Sequence, residues 1–435
     1  QINGRKINRV LFFRNRLVLL AGENVVTSRP GDFGNFWADT ALTVSAIDPV
    51  DIAASSAFPS DLFDGIEITT GLLVFSTNQQ FLLSADDAIF NPDTAKLRSI
   101  ATYNYNKVIP PVSMGTTVAF IDNSGKYSRF NEVAGVMREG EPVIVEQSKV
   151  VPRLLPKNID LITNSRENGL VFFGKTNSDE VIGFKYVTMG QQRAQSAWFK
   201  WKFNNKLKYH FIQDDQYYYL DEDNFLQTIN LIQADSDPSI DEEGVNYLIH
   251  LDNYTTVSGG VYNATTNLTT FTNQATWIPD VTTPNGKLVL VDTDSATARV
   301  GRYAECTLTG NSPNDDFTVP GDWSSATLNI GYLFDYQVDF PRLFQTKPTQ
   351  QGVVSDVNSS LVVHRVKLNF GRIGLYETTL TRVGKDPYTE VYESTTLNNY
   401  NVSDAPYLPE EIQTVPVYDK NTNVDIKLKY SHQAP

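Results

Sequence analysis

Three pairs of adjacent carboxylates could in principle act on a glycosidic bond: Asp86-Asp87, Asp214-Asp215 and Asp315-Asp316. Glycoside hydrolysis needs two carboxyl groups about 5–10 Å apart on opposite sides of a cleft. Adjacent residues of a strand point to opposite faces of the sheet, so such a pair cannot act together on a strand. In turns, paired aspartates are ordinary. We therefore predict no catalytic residue and no enzymatic activity from these pairs.

A further group of carboxylates could supply oxygen ligands to a calcium ion. It lies in the segment ADSDPSIDEEG at residues 234–244. The order of an EF-hand loop is missing, because a proline interrupts the segment and no glycine stands at the sixth position. We interpret the segment as a solvated acidic linker, whose charge could line a lumen or repel a polyanion. Its members are Asp235, Asp237, Asp241, Glu242 and Glu243.

The histidines and the cysteine show no metal-binding or nucleophilic spacing. His210, His250, His364 and His432 lie far apart, and Cys306 has no activating pattern beside it. Zinc sites and reactive thiols need clustered ligands or electropositive surroundings. A phosphate-binding loop, a dinucleotide fingerprint and a nucleophile elbow are all absent from the sequence. The sequence predicts no metal and no cofactor.

The aromatic block SAWFKWKF at residues 196–203 could stack sugars or bases. On a strand, alternation would place Trp198 with the two lysines on one face, and Phe199 and Trp201 on the other. We favour core packing on one side, with lysine stems covering the other, over a ligand platform.

The opening residues hold the densest set of positive side chains. Arginine suits bidentate contacts with carboxylates at interfaces, and it also binds phosphates. The set could therefore pair with a neighbouring subunit or steady DNA phosphates, and we favour the subunit contact. The candidates are Arg5, Lys6, Arg9, Arg14, Arg16 and Arg29.

Composition indicates a large, acidic, all-β protein, because tyrosine and phenylalanine are plentiful and long helical periodicity is absent. The 435 residues carry 36 basic and 50 acidic side chains, a net charge of −14. An adhesive nucleic-acid binder should show a dense basic patch, which is absent, although a negative lumen could let DNA slide without sticking. The lone cysteine fits folding in a reducing cytoplasm. We expect no membrane-spanning segment, and the start at Gln1 predicts an ordered part of a longer polypeptide.

The elements that must position these residues are short hairpins repeated along the first half of the chain. The opening stretch, Arg9–Trp37, contains three apolar runs separated by turns at Asn15 and Gly22, where positive φ is needed. Solid apolar runs predict strands buried on both faces. Weaker copies begin near residues 72, 117, 170 and 208. We predict an irregular β-propeller-like array over residues 1–232, in which each unit is buried by stacking on the next.

Two further regions follow the array. Residues 233–329 are interpreted as a peripheral β-rich insertion, because its Thr- and Asn-rich strands suit exposed, solvated surfaces. Residues 330–435 predict a β-sandwich, incomplete at its end, with a hairpin turn at Lys420–Asn423. Within the array, Ile47–Phe63 is the candidate for a short non-β segment.

Several segments together resemble the tail tubular protein B family, the nozzle proteins of short-tailed phages (podoviruses). The resemblance covers the array and the closing sandwich in the family's order, and it is weakest over residues 233–329. The segments are FFRNRLVLLAGENVVTSRPGDFGNFW at residues 12–37, DPVDI at 48–52, TTGLLVFSTNQQFLLS at 69–84, VPRLLPKNIDLITNSRENGLVFF at 151–173, QSAWFKWKF at 195–203 and VPVYDKNTNVDIKLKY at 415–430.

The resemblance implies a structural protein of the virion tail, made in the host cytoplasm. Six copies would form a homohexameric distal tube, with a propeller-like domain, a platform domain against the tail adaptor protein, and parts that receive the tail fibre protein. Double-stranded genome DNA would pass through the lumen during ejection without specific binding. The alternative is a carbohydrate-binding or polysaccharide-degrading β-propeller protein of the virion or cell surface. Sequons such as that at Asn253 also raise a secreted adhesin.

Overall fold

The computed structural model consists of antiparallel β-sheets, as the composition predicted. It divides into two compact units, Gln1–Gln233 and Ala234–Pro435. Among the residues it describes there is no helix with the length and apolarity of a membrane span. Those residues are 4–40, 42–56, 59–85, 89–138, 141–189, 192–232, 250–272, 287–293, 302–309, 316–324, 328–349, 352–356, 358–371, 373–393 and 410–431.

In the described part of the first unit, the strands form five antiparallel sheets in chain order. The hairpins predicted from the apolar runs are therefore present. The first sheet holds β1 (Ile7–Phe13), β2 (Arg16–Ala21), β3 (Asn24–Thr27) and β4 (Asp51–Ala53); the second β5 (Leu62–Ile68), β6 (Gly71–Ser76), β7 (Gln80–Ala85) and β8 (Ala95–Ala101); the third β9 (Val112–Ser113), β10 (Val118–Asp122), β11 (Arg129–Arg138) and β12 (Glu141–Glu146), followed by a 3-10 turn (Gln147–Val150); the fourth β13 (Leu161–Ser165), β14 (Leu170–Gly174), β15 (Glu180–Met189) and β16 (Gln192–Lys202); the fifth β17 (Leu207–Gln213), β18 (Gln216–Asp221) and β19 (Leu226–Asn230).

Successive sheets pack face to face through separate apolar cores. The interior strands β6, β10 and β14 are buried along their whole length, because each continuous apolar run faces a neighbouring sheet on both sides. Closure of the stack into a propeller stays a prediction. The sheets are joined in order by a cluster containing Val18 and Leu72, by Phe75 and Phe120 with ring centroids 5.2 Å apart, by Phe130 and Phe173 at 4.8 Å, and by Phe172 and Tyr217 at 4.7 Å.

The first sheet confirms the predicted three-strand unit and corrects two details. Asn15 and Gly22 take φ values of 59° and 60°, as the two turns require. Residues Asp51–Ala53, expected to be non-β, form β4 and pair with β3. Burial on both faces is confirmed for β2 and β3 but is wrong for β1, where Val10 and Phe12 are 53% and 57% exposed.

The second unit also consists of antiparallel sheets over the residues described. The sheet orders are β20-β27-β23-β24, β21-β22-β26-β25, β28-β35-β32-β33, β29-β30 and β31-β34. The strands are β20 (Asp252–Val257), β21 (Val261–Asn263), β22 (Leu268–Phe271), β23 (Leu288–Asp292), β24 (Tyr303–Glu305), β25 (Thr307–Leu308), β26 (Phe317–Pro320), β27 (Leu328–Tyr332), β28 (Tyr336–Asp339), β29 (Gln345–Thr349), β30 (Gly352–Asp356), β31 (Val362–Phe370), β32 (Leu375–Arg382), β33 (Tyr388–Glu393), β34 (Glu411–Lys420) and, after a 3-10 turn (Asn421–Asn423), β35 (Val424–Tyr430).

Packing in the second unit departs from the sequence expectations at two points. Strand β23 is buried along its length, because Leu288 and Leu290 enter a core with Phe317, so it is not a solvated strand. Residues Lys420–Asn423 do not close a hairpin, since β34 pairs with β31 whereas β35 pairs with β28 and β32. These two sheets share one core, which is the arrangement of a sandwich. The three-domain division stays a prediction, and β27 crosses its boundary at residue 330.

Candidate functional site

Arg16 is buried, with 2% of its surface exposed. Its Nη1 donates to the carbonyl oxygens of Asp48 and Ser28 at 2.7 and 2.9 Å, and its Nη2 donates to that of Ala46 at 3.1 Å. Burial lowers the pKa of Arg16, against the opposing charge of Asp48. The prediction that Arg16 contacts a neighbouring subunit is therefore wrong. Its N–H groups donate to backbone carbonyls of the same unit.

Arg29 is paired with two carboxylates of its own chain. Its Nη2 lies 2.5 Å from Oδ1 of Asp39 and 3.3 Å from Oδ1 of Asp48. Asp48 also accepts hydrogen bonds from the backbone N–H groups of Ser45 and Asp39, at 2.8 and 3.2 Å. The N–H of Ser45 is the main cause that holds the pKa of Asp48 below its usual value. Asp48, the first residue of DPVDI, therefore fixes the loop between β3 and β4.

Arg5, Arg9 and Arg14 surround the same sheet without meeting one another. Arg9 Nε lies 3.2 Å from Oδ1 of Asp64. Arg5 Nη1 donates to Oδ1 of Asn24 at 2.7 Å. Arg14 is exposed at the tip of the β1–β2 turn, where its φ is 46°. A role for these three, and for the mostly covered Arg29, in a subunit contact stays a prediction, as it does for exposed Lys6.

The acidic candidates fall into two groups, one at a described turn and one outside the described residues. Asp86, Asp87 and Asp315 lie outside the described residues, whereas Asp214 and Asp215 form the tip of the β17–β18 turn with φ values of 49° and 60°. This placement matches the interpretation of that pair as a turn. Asp235, Asp237, Asp241, Glu242 and Glu243 also lie outside the described residues, so their role as linker or lumen charge stays a prediction.

The aromatic block on β16 packs into cores, as predicted. Trp198 lies against Phe173 and Phe184, with ring centroids 5.8 and 4.6 Å apart. On the opposite face, Trp201 lies 4.8 Å from Phe172. The expected lysine-covered face is wrong at Trp198, which enters an apolar core, whereas Lys200 and Lys202 on the same face are exposed.

His210 and Cys306 occupy environments that suppress reactivity. Nδ1 of His210 lies 2.9 Å from the hydroxyl of Tyr217. Burial lowers the pKa of His210 to about 3, so the imidazole is neutral at pH 7. Burial also raises the pKa of the Cys306 thiol, which disfavours the thiolate that would act as a nucleophile. Among the residues described, no three His, Cys, Asp or Glu side chains lie close enough to hold a metal ion.

A partly buried ion pair between the third and fourth sheets escaped the sequence analysis. The guanidinium of Arg193 meets the carboxylate of Glu132 in two parallel contacts of 2.5 and 2.7 Å. Thr117 donates to the same carboxylate at 2.5 Å. The two charged residues are 61 positions apart, so no local pattern could reveal the pair. Its role is to lock two sheets together.

The outer face of the fifth sheet was also missed. Tyr209 and Leu226 are each 55% exposed, and the rings of Phe211 and Tyr218 stack with centroids 4.9 Å apart. The signal was the alternation in KYHFIQ, where Tyr209 and Phe211 lie opposite the buried His210. We call this surface the terminal aromatic face; it comprises Tyr209, Phe211, Tyr218, Leu220 and Leu226.

Comparisons with known proteins agree on one family. A model described as "Bacteriophage nozzle protein" matches residues 2–435. The "Tail tubular protein gp12" of Escherichia phage T7 is 24% identical over 388 residues, which are 86% of this chain and 47% of that protein. This chain thus spans about half the length of the curated relative.

Solved structures share only a distant likeness with this chain, with TM-scores of 0.30 and below in the two examples that follow. They include a nidogen/laminin complex, with TM-score 0.30 and 8% identity over 53% of this chain and 78% of that chain. They also include BamB from Moraxella catarrhalis, with TM-score 0.26 and 12% identity over 52% of this chain and 70% of that chain.

Proposed function

We propose, from the premise that this chain belongs to the bacteriophage nozzle protein family, that it forms the distal tube of a phage tail as a homohexamer. The chain is a structural protein of the virion tail, as the resemblance predicted. The observation that carries the assignment is the family match across residues 2–435. The T7 relative, named a tail tubular protein, supports a tube-forming role.

The stacked sheets of the first unit suit the wall of such a tube. Each interior sheet is buried on both faces by its neighbours. A slip in strand register by one residue would therefore move all the side chains of a strand to the opposite face and disrupt the packing. This constraint makes the stack resist local deformation. A rigid wall keeps a constant diameter while double-stranded DNA passes.

The charge of the chain supports passage of DNA without adhesion. With a net charge of −14, the subunit repels a polyanion unless basic residues concentrate on the lumen. We propose that genome DNA passes through the lumen without specific binding, that residues 330–435 contact the tail adaptor protein, and that residues 233–329 contribute to the nozzle tip or to tail-fibre attachment.

A carbohydrate-degrading or carbohydrate-binding propeller protein is the less favoured function. The family match supports a tail tube instead. Asp214 and Asp215, the carboxylate pair within the described residues, lie at a turn tip rather than across a cleft.

Deletion of the gene from the phage tests the proposal. We expect the mutant particles, viewed by electron microscopy, to lack the distal tube, and we expect a plasmid-borne copy to restore it. The purified protein mixed with its adaptor should form rings of uniform mass. Complete tails in the deletion mutant, or a protein that stays monomeric beside its adaptor, would overturn the proposal.

A further inference from the structure

We propose that the terminal aromatic face of one copy stacks on the outer face of the first sheet of a second copy. The contact is head-to-tail, because it joins two different surfaces of the same chain. This inference rests on the ring proposed above and names the surfaces through which its subunits meet. It takes the place of the predicted closure into a propeller within one copy, since Tyr209 and Phe12 are 55% and 57% exposed in the single chain.

Among the described residues of the first unit, the terminal aromatic face lacks the cap that ends most stacked arrays. Terminal repeats normally carry a polar outer face, since no further repeat covers them. Here Tyr209, Phe211 and Tyr218 lie on that face instead, and the adjacent Phe225 is 62% exposed. Elsewhere in the stack, equivalent aromatic side chains are buried by the next sheet.

The opposite end of the stack is also apolar. Leu11 and Phe13 of β1 point into the core shared with the second sheet, so Val10 and Phe12 point outward. Val10 is 53% exposed and Phe12 57%. Phe33, itself 42% exposed, meets Phe12 edge-on with ring centroids 5.2 Å apart. The first sheet therefore offers an aromatic surface that could continue the stack.

Charge at the hairpin tips favours this pairing of surfaces. The turn between the first and second strands carries Arg14 in the first sheet, and Asp214 and Asp215 in the fifth sheet. If a second copy continues the stack in the order seen within one copy, these equivalent turns lie side by side with opposite charge. Two copies that met through the same face would instead bring like charges together, which is unfavourable.

A head-to-tail contact has a consequence for assembly. Contacts between two different surfaces of a subunit produce rings when the rotation closes. A symmetric contact between identical surfaces would end at a dimer. The arrangement of the two faces thus fits a tube built of identical subunits.

Glutamate substitutions on each face test the contact in the full chain. Tyr209→Glu and Phe12→Glu should each lower the association constant of the subunits about thirtyfold, because each buries a charge in an apolar contact. Mass photometry over a concentration series measures the constant. The matched control is Tyr254→Glu, at a tyrosine of the second unit that is 64% exposed, and it should assemble as the wild type does.

A mixture of the two variants gives a sharper result. Each keeps one intact face, so Tyr209→Glu and Phe12→Glu subunits should pair with each other and stop at dimers. Neither variant alone should form dimers at that concentration. Independent loss of two unrelated surfaces would not produce this complementation.

A charge exchange tests the orientation. Arg14 and Asp214 have nearly equal φ values of 46° and 49°, so each substitution places its side chain in a backbone conformation that the chain already holds with a non-glycine residue. Arg14→Asp and Asp214→Arg should each lower the association constant about two- to fivefold, and the double variant should restore it.

The outcomes separate this inference from the proposed function. Wild-type rings that persist unchanged in Tyr209→Glu and Phe12→Glu, with no rescue in the charge exchange, would overturn the contact and leave the tube intact. A wild-type protein that never forms rings, with or without its adaptor, would overturn the proposed function itself. Circular dichroism of each variant excludes loss of fold as the cause of lost assembly.

Discussion

Replacement of Arg16 by methionine is expected to destabilise the first unit by about 3–5 kcal/mol. The carbonyls of Ser28, Ala46 and Asp48 accept bonds of 2.7 to 3.1 Å from a guanidinium that is 2% exposed. Methionine keeps the aliphatic stem but offers no donor, so the carbonyls of the buried residues Ser28 and Asp48 each lose a charged donor at about 1.5–2.5 kcal/mol, whereas the carbonyl of the exposed Ala46 can bond to water. Arg16→Lys should lower the free energy of unfolding by less than Arg16→Met does, because it keeps a charged donor. It should still be less stable than the wild type, because an ammonium cannot reproduce the geometry of the guanidinium fork.

Thermal unfolding followed by fluorescence, at a dilution where the wild type is monomeric, measures this loss. For the unit Gln1–Gln233, the expected loss corresponds to a melting temperature lower by about 6–20 °C. Arg14→Met is the matched control, since it makes the same chemical change at the exposed turn two residues earlier. It should alter the free energy of unfolding by no more than about 0.5 kcal/mol. Equal shifts for the two variants would refute the reasoning.

Two further predictions concern pH and packing. Burial lowers the pKa of His210 from 6.5 to about 3, so the unfolded chain takes up a proton first as the pH falls. The contribution of His210 to the free energy of unfolding should be complete above about pH 6.5 and should decline by up to about 1.4 kcal/mol per pH unit below it. His210→Gln should flatten this slope in urea unfolding between pH 4 and 7. A slope that persists in the variant would contradict the role given to His210. Gly183→Ala should cost about 1–3 kcal/mol in denaturant unfolding, because the added Cβ would lie 2.1 Å from the Phe199 ring. Gly34→Ala, with no atom within 4 Å, is its control, and equal costs would contradict the packing argument.

The hairpins of the first unit were predictable because two local signals coincide. Continuous apolar runs mark β2 and β3, and Asn15 and Gly22 supply the positive φ of the turns between strands. The fates of Arg14 and Arg16 were not predictable. Both arginines flank Asn15, yet one is exposed at the turn tip and the other is enclosed by carbonyls from residues 12 to 32 positions away.

The local sequence around Lys420–Asn423 also did not reveal which strands would pair. Turn residues fix where the chain reverses, but they do not fix which strand becomes the neighbour. Strands β34 and β35 both alternate between buried and exposed side chains, a pattern that fits a hairpin and a sandwich equally well. The shared core decides, because Val415 and Val417 face Ile426 and Leu428 from the opposite sheet. The terminal aromatic face was overlooked for a related reason, since alternation reveals two faces but not what covers each.

The pairing of the arginines within their own unit bears on how a conduit could pass DNA without holding it. Each free cation that reaches a phosphate adds affinity through counterion release, and several such contacts would stall a moving duplex. Arg16 is buried against carbonyls, while Arg9 and Arg29 face Asp64 and Asp48 of the same chain. The most basic stretch of the sequence therefore presents far less positive charge than its composition indicates. A lumen surface built from this sheet would therefore offer DNA fewer unpaired cations than the sequence carries, chiefly the exposed Lys6 and Arg14.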